Sequence, residues 1–204
     1  MSSVAISGNA SGTGTLTIAA PNTNSNRTLT LPDGTGTFTV NGVNSNIVSG
    51  TAQNSTSGTS IDFTGIPSWV KRITVNFAGT STAGASAAVL IQIGTSGGIQ
   101  NTGYLSTASA INNANTTVVS NITAGISPWS GASAAIAHGS VVITLLDSSN
   151  GTWCFNGQIA RSDSTNNYWC AGSKILSGTL DRVRITTTNG TDTFDAGSIN
   201  ILYE

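Results

Sequence analysis

Charge is the first thing this chain lacks. Only 7% of its 204 residues are Asp, Glu, Lys or Arg, and the net charge is −1; soluble domains average about 25%. Seven Lys and Arg, scattered along the chain, cannot form the clusters that neutralise phosphates, so no nucleic-acid partner is expected. The single Glu is the last residue, which excludes a coiled coil or helical bundle built on Glu, Lys and Leu heptads. One His and two Cys exclude a clustered zinc site and a disulfide framework. The longest largely apolar stretch, Ala87 to Ile93, falls far short of the roughly 20 residues of a membrane helix, so no membrane insertion is expected. The opening Met1-Ser-Ser-Val-Ala-Ile-Ser-Gly8 has neither the basic nor the apolar region of a secretory signal. These absences point to a soluble product made in a reducing cytoplasm.

What is present is Gly, Ser, Thr and Asn, together about half of the chain. Disorder of that composition normally goes with high charge and few aliphatics. Here hydrophobic residues reach 38%, enough to bury a core. Helix signals are nearly absent, while strand signals bounded by Gly, Asn, Asp or Pro recur along the whole sequence. Leu16 and Ile18, Leu29 and Leu31, and Phe38 and Val40 each alternate with threonines. Each set reads as a period-2 strand with one apolar and one threonine face, since Thr suits both the pleat and water.

These first strands lie in residues 1–47, a segment with few large apolar side chains. So short a stretch is marginal on its own. It reads as an extended β-arm held by copies of itself or by a larger assembly, with Leu16, Ile18, Leu29, Leu31, Phe38 and Val40 as contact residues. Arg27 and Asp33 are the only charges in the first 60 residues. They form either a surface pair worth under about 1 kcal/mol or a register device at a subunit contact.

Residues 48–204 carry stronger strands. Ile73, Val75 and Phe77 alternate with Arg72, Thr74 and Asn76. The runs Val89 to Ile93 and Val141 to Leu146 read as strands buried on both faces. Trp153 to Ile159, Tyr168 to Ala171, Leu180 to Thr186 and Ile199 to Tyr203 complete a set of seven or eight. Many short strands with Gly-rich turns predict an all-β fold, a jelly-roll-like β-sandwich. An Ig-like sandwich is the alternative, but its Cys…Trp…Cys spacing is missing. The Ala-rich stretches Ala83 to Ala88 and Ser130 to Ala137 read as loops.

Three segments carry a family resemblance. Thr15-Leu-Thr-Ile-Ala-Ala-Pro21 followed by Asn26-Arg-Thr-Leu-Thr-Leu-Pro-Asp33 and a Gly-Thr turn resembles a module of phage tail fibres and related receptor-binding appendages. Asp62-Phe-Thr-Gly-Ile-Pro-Ser-Trp-Val-Lys-Arg-Ile-Thr-Val75 and the closing stretch Leu180 to Glu204 resemble parts of a small β-domain of phage structural proteins. The resemblance implies a homotrimer within the virion, assembled in the host cytoplasm. It would attach to tail, baseplate or capsid proteins by its N-terminal arm and turn a β-domain outward. It implies no catalytic residues. The alternative within the same class is a capsid decoration, cement or head-fibre protein.

Catalytic motifs are weak. Gly94-Thr-Ser-Gly-Gly98 matches a nucleophile elbow, but that motif needs a helix next and an acid before the His. A turn-like stretch follows instead, and no acid lies between Ser96 and His138, which is read as a loop residue. Asp147-Ser-Ser-Asn-Gly151 lacks the Glu at position 12 of a calcium loop and reads as a hairpin turn on Asn150-Gly151. Asp192 and Asp195 are the remaining pair for a shared ion. No enzyme activity, cofactor or metal is assigned.

Aromatics make up 6% of the chain, so their placing matters. Trp153, Tyr168 and Trp169 fall on one hairpin and Trp129 in a Pro-containing loop. Trp129, Tyr168 and Trp169, with Arg161, Asp163, Asn166 and Asn167, could form a stacking platform for host surface polysaccharide. The alternative is that the aromatics fill the sandwich core or a trimer axis. Trp69 reads as core. Cys154 and Cys170 could face each other across the same hairpin, or sit as two small buried residues.

Overall fold

The computed structural model describes residues 11–14, 24–26, 28, 47–84, 87–111, 121–130, 133 and 135–204, with the backbone of 116–119. The chain divides into two units, Met1–Gly42 and Val43–Glu204. The arm contacts expected at Leu16, Ile18, Arg27, Leu29, Leu31, Asp33, Phe38 and Val40 lie outside the described residues.

The second unit is all-β, with no helix among the described residues. Its strands are β1 (Val48–Ser49), β2 (Gln53–Asn54), β3 (Ile61–Thr64), β4 (Arg72–Thr82), β5 (Val89–Thr95) and β6 (Gly98–Ile99). They continue with β7 (Tyr104–Ile111), β8 (Thr116–Val119), β9 (Ala137–Asp147), β10 (Thr152–Arg161), β11 (Asn167–Ile175), β12 (Arg182–Thr187) and β13 (Phe194–Tyr203). A nine-stranded sheet runs β1-β13-β4-β9-β10-β11-β7-β8, with β2 also paired to β13. A four-stranded sheet runs β3-β12-β5-β6. One buried apolar cluster draws on both sheets, as expected of a sandwich in which each sheet buries one face.

Period-2 alternation decides which residues reach that core. Ile73, Val75 and Phe77 on β4 are buried, while Arg72 is exposed and Thr74 and Asn76 are half-buried. Val183 and Ile185 on β12 point in, and Arg182, Arg184 and Thr186 point out. Strand β5 is buried on both faces, as its unbroken apolar run predicts. The similar run on β9 is not: Val141 and Ile143 are buried, but Thr144 and Leu146 face out. An apolar run that leaves its even positions to solvent looks the same in sequence as one buried on both sides.

Turns follow their side-chain chemistry. The Asp147 carboxylate accepts bonds from the N–H and Oγ–H of Ser149, and the Asn150 side-chain oxygen accepts the Thr152 N–H at 3.0 Å. Gly151, at φ +70°, closes the β9–β10 hairpin. Gly94 to Gly98 forms the β5–β6 turn, with Gly94 opposite Ile99. The motif is therefore a strand-to-strand turn and not the strand-to-helix elbow of a hydrolase. The Ala-rich stretches around 83–88 and 130–137 are loops over their described residues, tied by isolated bridges such as Ala88 to Ser130. His138 is the second residue of β9, because β9 opens at Ala137 rather than at Val141.

Candidate functional site

The tip of the β10–β11 hairpin holds five of the expected recognition residues. Arg161 donates to both carboxylate oxygens of Asp163. That hydrogen bond from the guanidinium is the main reason the Asp163 carboxyl falls to about 2. Asp163 also accepts the N–H of Ile136 at 2.8 Å, and Ser162 N–H donates to the Ile136 carbonyl. The tip is thus tied to the loop before β9. His138 joins the same knot: its Nδ1 accepts the N–H of Gly79, so the ring proton sits on Nε2, 3.2 Å from Ser162 Oγ. Asn166 Nδ2 donates to the Tyr168 hydroxyl, and Gln158 Nε2 to the side chain of Asn167.

The aromatic residues separate. Trp129 is only 1% exposed and packs edge-on against Phe77, with centroids 5.0 Å apart at 82°. It belongs to the core and does not join the hairpin tip at the surface. Trp153 is buried, and Tyr168 is buried apart from what its hydroxyl meets. Only Trp169, 37% exposed, presents a ring to solvent there. Alternation explains the split: Tyr168 and Cys170 point into the sandwich, so Trp169 between them must point out. Trp69 is also corrected. It is 51% exposed and leans on Tyr203 at 5.9 Å, because Pro67 and Ser68 carry it around a turn before β4 begins. The two cysteines do not face each other: Cys154 stands opposite Ser173, and Cys170 opposite Gly157.

The outer face of the nine-stranded sheet is the feature the sequence reading did not assemble. The two central outward rows across β9, β10, β11 and β7 carry no Asp, Glu, Lys or Arg; charge stands at one end, with Arg72 opposite Thr144 and Asp147 opposite Thr152. One row reads Ser140, Gln158, Trp169, Ser109; the next reads Val142, Asn156, Ala171, Thr107. Leu105, Leu146 and Ile175 stand out at one end, 73%, 69% and 61% exposed. Large apolar side chains gathered on one face mark an interaction surface more often than scattered ones do. Register alone brings these residues together, so a reading of single strands could not find them.

A second polar surface lies outside the four-stranded sheet. There Arg184 donates from Nε and one terminal nitrogen to the two oxygens of Asp62, each at 2.7 Å. Arg182 donates from Nε and one terminal nitrogen to a single oxygen of Asp181, Oδ2, at 3.0 and 2.8 Å. The spacing of Arg182 and Arg184 in sequence is the signal that could have placed both on one strand face. Asp192 accepts from Asn189 Nδ2 at 2.8 Å, and no cluster of three or more potential metal ligands occurs among the described residues. No family model, no curated protein and no solved structure matches this chain.

Proposed function

We propose that the chain is a structural protein of a phage particle: a homotrimeric tail-fibre component that attaches through its N-terminal segment and presents its β-domain to the host surface. The observation that carries the reading is the outer face of the nine-stranded sheet. The two uncharged rows at the centre of that face, Ser140 to Ser109 and Val142 to Thr107, lie against an identical copy without like-charge repulsion. Leu105, Leu146 and Ile175 give such a contact apolar area to remove from water, worth about 25 cal/mol per Å². The resemblance of Thr15 to Asp33 to a tail-fibre module, and of the closing stretch to a small β-domain of phage structural proteins, supports the same class. Binding to the host would be reversible, with three weak sites combined through avidity.

Analytical ultracentrifugation of the purified chain tests the assembly. A species of three times the 20.5 kDa chain mass is expected, dissociating when Leu105→Asp or Ile175→Asp places a charge in the contact. A monomer at all concentrations overturns the reading. Competition of the purified trimer with phage adsorption tests recognition, with reduced adsorption expected.

A further inference from the structure

We infer that the trough on the outer face of the four-stranded sheet binds a neutral oligosaccharide. The inference rests on the host-surface reading above and gives it a site away from the hairpin. The trough has a volume of about 580 Å³, within the range of about 300–1,000 Å³ typical of small-ligand sites. Its floor is built by register. Asp62, Arg184 and Gln92 stand side by side on β3, β12 and β5, and Thr64 and Arg182 form the next row. The loop at Ala124 and the turn at Asn189 also line it.

The chemistry of the floor selects the ligand. Asp62 and Arg184 neutralise each other through two parallel hydrogen bonds, and Arg182 is matched by Asp181, one oxygen of which accepts from two of its nitrogens. An anion would find each guanidinium already matched, so the trough has little net attraction for phosphate or sulfate. A pair of vicinal hydroxyls is a better match, because each can donate to a carboxylate oxygen and accept from a guanidinium N–H. Planar side chains fixed in advance make both contacts with little ordering cost. Gln92 is fixed too: it is buried, and its Nε2 donates to the Ala124 carbonyl at 2.8 Å. The residue lines the trough, and its side-chain oxygen stays available as an acceptor. In a chain with only 15 charged residues, three on one sheet face are a concentrated investment in polar recognition.

The test uses the full chain and a printed panel of neutral and anionic bacterial oligosaccharides, with inorganic phosphate as a separate probe. Binders are titrated by calorimetry and mapped by amide and guanidinium NMR shifts. A neutral oligosaccharide that shifts Arg184 Nε–H and the Gln92 side-chain amide is the expected result. Arg184→Lys keeps the charge and loses the fork, and should weaken that binding about tenfold or more; Arg184→Gln should do the same. Trp169→Ala should leave it unchanged. Loss on Trp169→Ala with Arg184→Lys unaffected overturns the trough and returns the site to the hairpin. Binding of phosphate or anionic sugars alone overturns the neutral class. If no sugar binds but the trimer still competes with phage adsorption, the trough falls and the host-surface reading stands; if neither occurs, both fall.

Discussion

The hydroxyl of Tyr104, on β7 of the larger sheet, accepts the backbone N–H of Ile93, on β5 of the smaller sheet, at 2.7 Å. The same hydroxyl donates to the Gln100 carbonyl at 2.9 Å. One buried phenol thereby joins the two layers, and its burial raises the phenol well above its ordinary range.

Replacing Tyr104 by Phe keeps the ring and strands the Ile93 N–H without an acceptor. A buried unsatisfied donor costs about 1–3 kcal/mol. The melting temperature should fall by about 3–10 °C, as read by differential scanning calorimetry. No change would mean that water replaces the hydroxyl.

Two glycines with the same sign of φ should respond differently to alanine. Gly197, at φ +88°, sits where β13 slips register against β4, and an added Cβ would lie 2.3 Å from the Gly79 backbone. Gly190, at φ +66°, has open space around it. Gly190→Ala carries only the conformational cost, about 1 kcal/mol. Gly197→Ala must also move the backbone, and should lower soluble yield and melting temperature much further. Equal effects would contradict the close approach of β13 and β4.

The cysteines predict a graded reactivity. Cys154 is half-buried, while Cys170 lies inside the sandwich with its thiol pushed up to about 12 by burial. A thiol reagent should titrate one group in the native protein and two in denaturant. A disulfide between them is not expected, since each faces a different partner across β10 and β11.

The hairpin tip should weaken only in strong acid. The Asp163 carboxyl titrates at about 2, below its unfolded value of about 3.9. Its contribution is therefore complete above about pH 4 and is lost as pH falls through 2. Asp163→Asn should lower the melting temperature by about 1–3 °C at pH 7 and by clearly less at pH 2, where half of the carboxyl is protonated.

The sandwich was legible because its cue is local. Alternation on β4, the turn at Asp147 to Gly151 and the β10–β11 hairpin each come from neighbouring residues. The surfaces were not legible because they come from register between distant segments. Arg184 meets Asp62 across 122 positions, and Leu105 stands opposite Ser173. Trp129 misled for a related reason: a loop residue after proline has no period to say which way it points, and this one fills the space beside Phe77.

The proposed role requires this β-domain to be displayed on a phage particle for host recognition. Gold-labelled antibody against residues 48–204, viewed on intact particles, tests it most directly. Label at the end of the tail, in a handful of copies per particle, is the expected result. Label spread over the head in hundreds of copies would contradict it and assign the chain to the capsid surface.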